Sequence, residues 1–417
     1  MKFETYPISS EIKRNLTQAG LIRPTDIQYK AIPSILRGED VLAVAQTGTG
    51  KTVAFAVPVI HKIHQAKSSR RHRGIQCIVM VPTRELAGQI GRVFESLCFK
   101  TKVNCFALYG GVEQDAQIKR LNQGVDILVA TPGRMFDLIS QGAVNTRAVT
   151  TLILDEADQM LDRGFIKDIQ DIKRRLKQRH QTLFFSATIN RQIKKLAFSQ
   201  VKSNAIRIQI SPEDPVSKNV HHQVAFIEMD DKRFFLRGFI THNADKRIMV
   251  FVRTKVRAER VAKALERGGI DSFVLHGGKD QAERDAVMAD FRDHQGRILI
   301  ATDVSARGID IPDVDYVIND DLPDQAENYV HRVGRTGRGR RKGRALSFCA
   351  EGEKELLKDI QGFLNREIEV LHLTRREYGD ILEDSRKPES LREMILDHET
   401  REKEAWKKAR KRRKKKK

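Results

Sequence analysis

The chain has 417 residues, enough for two or three domains, and its 40% hydrophobic content supports packed cores. Its formal net charge is +21; Lys407 to Lys417 hold ten Lys or Arg, so the remainder still carries +11. That excess argues for a polyanionic partner, nucleic acid first and a membrane surface as the rival, while no apolar run approaches the roughly 20 residues of a transmembrane helix.

No signal-peptide pattern opens the chain. Cys77, Cys98, Cys105 and Cys349 lack metal-type spacing and read as buried free thiols of a reducing cytoplasm. From Phe3 to Asp40 two helical segments, Ile8 to Ala19 and Ile27 to Leu36, flank Gly20-Leu21-Ile22-Arg23-Pro24-Thr25. The short apolar run Val41 to Ala45 has the character of a buried parallel strand. It breaks into Gln46-Thr47-Gly48-Thr49-Gly50, and Lys51-Thr52 then opens an apolar-rich helix. Strand, glycine loop and helix start, in that order, form the context of a phosphate-binding loop. Gly48 and Gly50 free the backbone to turn its N–H groups toward an anion. Lys51 suits the β- and γ-phosphates and the Thr52 hydroxyl suits Mg²⁺. Ala45 stands where the generic pattern has its first glycine, so the bare motif fails by one residue.

Apolar strand candidates follow at Cys77–Val81, Val103–Leu108, Asp126–Ala130, Thr151–Leu154, Thr182–Phe185 and Ile206–Ile210, separated mostly by segments of helical spacing. This alternation predicts a parallel sheet covered on both faces. Ser211-Pro212-Glu213-Asp214-Pro215-Val216-Ser217 interrupts it, which sets a linker at 211–219. The alternation resumes at His222–Ile227, Arg247–Val252, Ser272–Leu275, Arg297–Ala301, Tyr316–Ile318 and Ala345–Phe348, with no second phosphate loop. The expected organisation is α/β, with parallel-sheet domains at 1–210 and 220–365. A charged, basic extension at 366–417 lacks the composition of a core and is expected to be mobile.

Leu152-Ile153-Leu154 runs into Asp155-Glu156-Ala157-Asp158. Carboxylates at the carboxyl end of a buried strand sit where ligands bind in open α/β sheets. Asp155 suits holding Mg²⁺, and Glu156 suits orienting or deprotonating the attacking water. In the second half, Arg335 and Arg338 lie three apart among glycines. A guanidinium can cover the charge that a phosphoryl transition state spreads over its oxygens, an effect worth about 10³–10⁵ in rate in other systems. The plain alternative is an Arg/Gly-rich nucleic-acid surface, which Arg340-Arg341-Lys342 resembles.

These motifs, in this order, resemble those of the DEAD-box RNA helicases from Phe3 to about Phe348, and Gly164-Phe165 with the short N-terminus is most similar to the bacterial RhlE-like branch. The resemblance implies two tandem RecA-like domains and ATP as the nucleotide. Gln28, after Pro24-Thr25-Asp26-Ile27, resembles the glutamine that reads the adenine edge, and Phe3 matches its upstream aromatic. Pro82-Thr83-Arg84, Gly110-Gly111 and Thr131-Pro132-Gly133-Arg134 resemble the RNA-gripping motifs of the first domain. Ser186-Ala187-Thr188 resembles the segment that couples hydrolysis to strand separation, and the resemblance adds Asp158 and His331 to that coupling. Gln281, Arg284, Thr302, Arg307 and Gly308 are implied as RNA contacts of the second domain, with Asp310 on the ribose. Three departures stand out: Leu21 and Asp320 replace usual aromatics, and Gln159 replaces a frequent Arg.

With 6% aromatics and a single Trp, Trp406, no platform for stacking successive bases is evident, so contact should be to the sugar–phosphate backbone and indifferent to sequence. The expectation is a cytoplasmic, monomeric, RNA-stimulated ATPase that separates short RNA duplexes or remodels ribonucleoprotein, in ribosome assembly or RNA turnover. A non-catalytic RNA clamp and a DNA translocase are the competing classes. The presence of Lys51, Glu156 and Arg338 argues against the clamp.

Overall fold

Val41–Val44 (β1) is four buried apolar residues long, and a parallel strand flanks it on each side: Val41 is in register with Leu183 on one and with Ile206 on the other. A strand buried on both faces needs apolar residues at every position, and here alternate residues serve opposite cores. Val41 and Ala43 join the cluster beneath α1 (Ser10–Gln18), α2 (Asp26–Leu36), α3 (Lys51–Ser69) and α4 (Arg84–Cys98). Leu42 joins the opposite cluster with α6 (Pro132–Ser140), α7 (Ala157–Asp162), α8 (Ile166–Arg175) and α9 (Arg191–Gln200), while α5 (Gln114–Asn122) completes the helices of this half.

A computed structural model of the chain describes residues 2–45, 48–69, 74–210, 219–303, 314–337 and 342–384. The first sheet comprises β1, β2 (Cys77–Met80), β3 (Cys105–Leu108), β4 (Ile127–Ala130), β5 (Thr151–Leu154), β6 (Gln181–Ser186) and β7 (Ile206–Gln209), in the spatial order β3-β4-β2-β5-β6-β1-β7. The second comprises β8 (Val220–Phe226), β9 (Ile248–Val252), β10 (Phe273–Leu275), β11 (Ile298–Thr302), β12 (Tyr316–Asn319), β13 (Gly343–Cys349) and β14 (Glu369–Val370), in the order β10-β11-β9-β12-β13-β8-β14. Counted from the first strand of each sheet, the two orders are the same. The helices of the second half are α10 (Lys232–His242), α11 (Lys255–Glu266), α12 (Gln281–Arg292), α13 (Ala326–Val333), α14 (Lys354–Leu364) and α15 (Arg375–Asp384). The architecture is two tandem RecA-like domains with all-parallel sheets.

The second domain does not end at 365, where composition placed its boundary. β14 pairs with β8, Glu369 opposite Gln223. Leu373, Tyr378, Ile381 and Leu382 pack on the core that contains Phe235, and the Tyr378 ring lies 4.7 Å from that of Phe235. Three or four apolar residues spaced along a charged helix suffice to dock it, although they do not raise the local composition to that of a core. Residues 211–218 of the expected linker and 385–417 of the expected extension lie outside the described residues.

Candidate nucleotide and nucleic-acid site

Beyond β1 the backbone turns through Gly48 and Gly50, both at positive φ (80° and 90°), and α3 starts at Lys51. A Cβ at Gly50 would collide with the Gln28 amide, so this position requires glycine. Gln28 braces the loop: its Oε1 accepts from the Thr25 N–H (2.9 Å) and its Nε2 donates to the Gly50 carbonyl (3.0 Å). The Thr25 hydroxyl donates to the Thr49 carbonyl (2.8 Å). An amide holds four hydrogen-bonding positions, so Gln28 keeps one N–H and one lone pair for a ligand. Ala45 is buried at the strand end. Lys51 is only 7% exposed and its Nζ has no hydrogen-bond partner among the described residues, a buried ammonium suited to an anion. Phe3 is placed differently from expectation. Its ring is buried in the core beside Tyr6 and its N–H bonds to the Ile22 carbonyl (3.2 Å), so it anchors the segment before Gln28 instead of offering a stacking face. Leu21 packs partly buried on the same core. Gln46 and Thr47 lie outside the described residues.

At the end of β5, Asp155, Glu156 and Asp158 are all at least 95% buried. The Glu156 N–H donates to Asp155 Oδ1 (3.0 Å), and Glu156 sits at φ 52°, a left-handed conformation that costs a non-glycine residue energy and re-aims its side chain. Gln159 Nε2 donates to the Glu156 carboxylate. Burial pushes both catalytic candidates up, Asp155 against the pull of Lys51, and Glu156 to about 7 despite Lys51 and Arg335. Asp158 behaves oppositely. Burial would raise it, but His331, Lys51 and the hydrogen bonds from Thr188 hold it below the usual carboxylate range. Its Oδ2 accepts from the Ala187 N–H (3.1 Å), the Thr188 N–H (2.9 Å) and the Thr188 hydroxyl (2.9 Å). The Ser186 hydroxyl closes the turn on the Thr188 carbonyl (2.7 Å). From the second domain, His331 Nε2 approaches Asp158 Oδ2 at 3.8 Å.

His331 and Arg335 reach the first domain because α13 is pinned from behind. Arg332, which the motif reading passed over, is 1% exposed and donates to Asp303 (2.6 and 2.8 Å), Asn319 (3.1 Å) and the Asp321 carbonyl (2.6 Å). Arg335 donates to the His331 carbonyl (3.1 Å) and places its charge on Glu156. Asp320, the departure near the cleft, is fully buried and paired with Arg257 (2.9 Å). Burial pushes its carboxyl to about 6. Arg307, Gly308, Asp310 and Arg338 lie outside the described residues. Among those described, no cluster of three or more His, Cys, Asp or Glu could hold a metal. The donor set present, the Thr52 hydroxyl and one free Asp155 oxygen, fits Mg²⁺, which binds by one or two protein oxygens together with phosphates.

The expected RNA-gripping residues form a second group along the strand ends. The Arg84 guanidinium lies against Gly110 and Gly111, and a Cβ on Gly111 (φ 82°) would overlap it. Thr83 caps α4, its hydroxyl accepting from the Leu86 N–H (3.2 Å). Thr131 and Pro132 begin α6, and Gly133 is open to its surroundings. Arg134 donates to Gln117 (2.6 Å) and to the Val112 carbonyl (3.2 Å), which fixes the Gly110-Gly111 loop. In the second domain Gln281 donates to Asp285 (3.1 Å). Thr302, with Arg253, Lys255 and Asn328, lines a 580 Å³ cavity that Asp162 of the first domain also borders. Arg284 is placed otherwise than expected: it forms an ion pair with Glu85 of the first domain, largely buried on both sides, where the resemblance implied an RNA contact.

The DEAD/DEAH box helicase family model matches residues 25–196, and the helicase conserved C-terminal domain matches residues 231–340. The ATP-dependent RNA helicase RhlB of Shewanella oneidensis is 38% identical over 378 residues, 90% of this chain and 86% of its own. This chain belongs to the DEAD-box helicases. Its DEAD-box relatives include the ATP-dependent RNA helicase DeaD of Buchnera aphidicola, 38% identical over 91% of this chain and 62% of its own. Among solved structures, S. cerevisiae Dbp5 bound to RNA and ADP BeF3 superposes with a TM-score of 0.81 at 28% identity, over 91% of this chain and 97% of that one. A DEAD box protein from Methanococcus jannaschii reaches only 0.53 at the higher identity of 35%, over 89% of this chain and 99% of its own.

Proposed function

We propose that this DEAD-box chain is an RNA-stimulated ATPase that separates short RNA duplexes or remodels ribonucleoprotein. It grips the sugar–phosphate backbone without reading sequence. The observation that carries the reading is the composite site: an unpaired buried Lys51, the Asp155–Glu156 carboxylates and Arg335 of the other domain converge on one cleft. Lys51 and the loop N–H groups take the phosphates, and Gln28 offers its remaining donor and acceptor to the adenine edge. Thr52 and Asp155 would hold Mg²⁺, which would neutralise phosphate charge. Glu156 takes a proton from the attacking water, and Arg335 covers charge on the transferring group. Asp158 links Thr188 of the first domain to His331 of the second, so hydrolysis and domain closure move together. Arg84 and Thr302 bind backbone phosphates, one from each domain. The match to structures bound to RNA and an ATP analogue supports this assignment. Ribosome assembly or RNA turnover in the cytoplasm is the setting we propose, and the RhlE-like branch rests on Gly164-Phe165.

Glu156→Gln tests the reading. The amide keeps size and hydrogen bonding but removes the base, so RNA-stimulated ATP turnover should vanish while ATP and RNA still bind together in a long-lived complex. Turnover at the wild-type rate would remove Glu156 from the mechanism.

A further inference from the structure

Gln159 carries an inference beyond the motif-derived site. α7 begins at Ala157, with Glu156 as its N-cap, so Gln159 occupies the third helical position. A Gln there commonly reaches back to the N-cap backbone N–H. Here that N–H is already taken by Asp155 Oδ1 (3.0 Å), and the Gln159 amide turns to the Glu156 side chain instead. Gln159 is 0% exposed, its backbone N–H is fixed by Asp158 Oδ1 (3.1 Å), and its Oε1 is buried without a partner among the described residues. An unpaired buried acceptor lowers stability, so packing alone would favour an apolar side chain of the same size. What the amide adds is the hydrogen bond to one oxygen of the Glu156 carboxylate. The other oxygen has no partner among the described residues.

We propose that Gln159 is a positioning residue for hydrolysis: it pins one oxygen of the Glu156 carboxylate so that the other is aimed at the attacking water. The left-handed backbone at Glu156 swings its side chain away from the helix axis, and the Gln159 amide fixes where that side chain stops. The proposal rests on the reading of Glu156 as the base.

Gln159→Met keeps the volume and removes the donor. In the full-length protein with saturating RNA, kcat should fall roughly 10- to 100-fold, as small misplacements of reacting groups do. KM for ATP and affinity for a non-hydrolysable ATP analogue should stay unchanged, the thermal melt should not fall, and the ATP–RNA complex should live longer by the same factor as kcat falls. Gln159→Leu repeats the test with a differently shaped apolar side chain. Wild-type kcat in both variants overturns the proposal, as does a loss of kcat matched by a loss of analogue affinity, which would mark a purely structural role. Glu156→Gln is run beside them. If that variant hydrolyses normally the base assignment itself falls, whereas an inactive Glu156→Gln with unaffected Gln159 variants refutes only the positioning role.

Discussion

Glu156 is costly to fold at neutral pH. Its carboxyl is raised by burial from 4.5 to about 7. Between those values the folded chain holds a proton that the unfolded chain has released, so stability falls as pH rises through the window. Without nucleotide, Glu156→Gln should therefore melt higher than wild type at pH 8, by on the order of 5–10 °C, and the gain should shrink toward pH 5.5. A gain of equal size at both pH values would show that Glu156 titrates as an ordinary carboxylate. Below about 7 the base is also protonated, so kcat/KM for ATP should decline with falling pH. Lys51, Asp155 and Glu156 were legible in the sequence because a strand, a turn and a helix start fix their geometry locally. Gln159 stood out only as a departure, since its partner follows from the backbone twist at Glu156. The pairing of Glu85 was not legible, because its partner Arg284 lies in the other domain.

At the scale of elements, apolar runs located every strand of both sheets except β14, usually within a residue or two of its ends. β14 escaped because it is two residues long, Glu369–Val370, and sits at an edge where only one side must be apolar. α15 escaped because its sequence is mostly charged and its docking rests on Tyr378, Ile381 and Leu382. Tyr378 also completes a polar link: its hydroxyl accepts from the Glu228 N–H (3.1 Å) and donates to Asp231 Oδ2 (2.8 Å). A chain ending at 365 uncovers Phe235 and Phe239 and should lose about 2–4 kcal/mol of second-domain stability, the cost of re-exposing one or two large apolar side chains. A chain ending at 384 should match the full length in a denaturant melt. Equal stability of the two truncations would make β14 and α15 dispensable decoration.

At the scale of the whole molecule, charged contacts that join the domains among the described residues include Arg284 with Glu85, His331 with Asp158, and Arg335 acting on Glu156. The last two lie at the proposed ATP site and the first lies beside Arg84, in the group expected to hold RNA. Arg284→Ala should leave ATP binding in the absence of RNA unchanged yet weaken the mutual enhancement of ATP and RNA binding roughly tenfold, and the loss must be the same whichever ligand is titrated. Were Arg284 instead a phosphate contact, RNA binding without nucleotide would weaken and its salt dependence would flatten. The two sheets share one strand order, which raises the question of a second nucleotide. In the second sheet, the end of β8 stands where the phosphate loop follows β1. The chain there reads Phe226-Ile227-Glu228-Met229-Asp230-Asp231, three acids and no glycine, and the Glu228 N–H that might face a phosphate is already bonded to Tyr378. With that donor used and no glycine loop to cradle phosphates, the enzyme should bind one ATP per chain in equilibrium dialysis, and each stroke of the clamp should consume a single nucleotide.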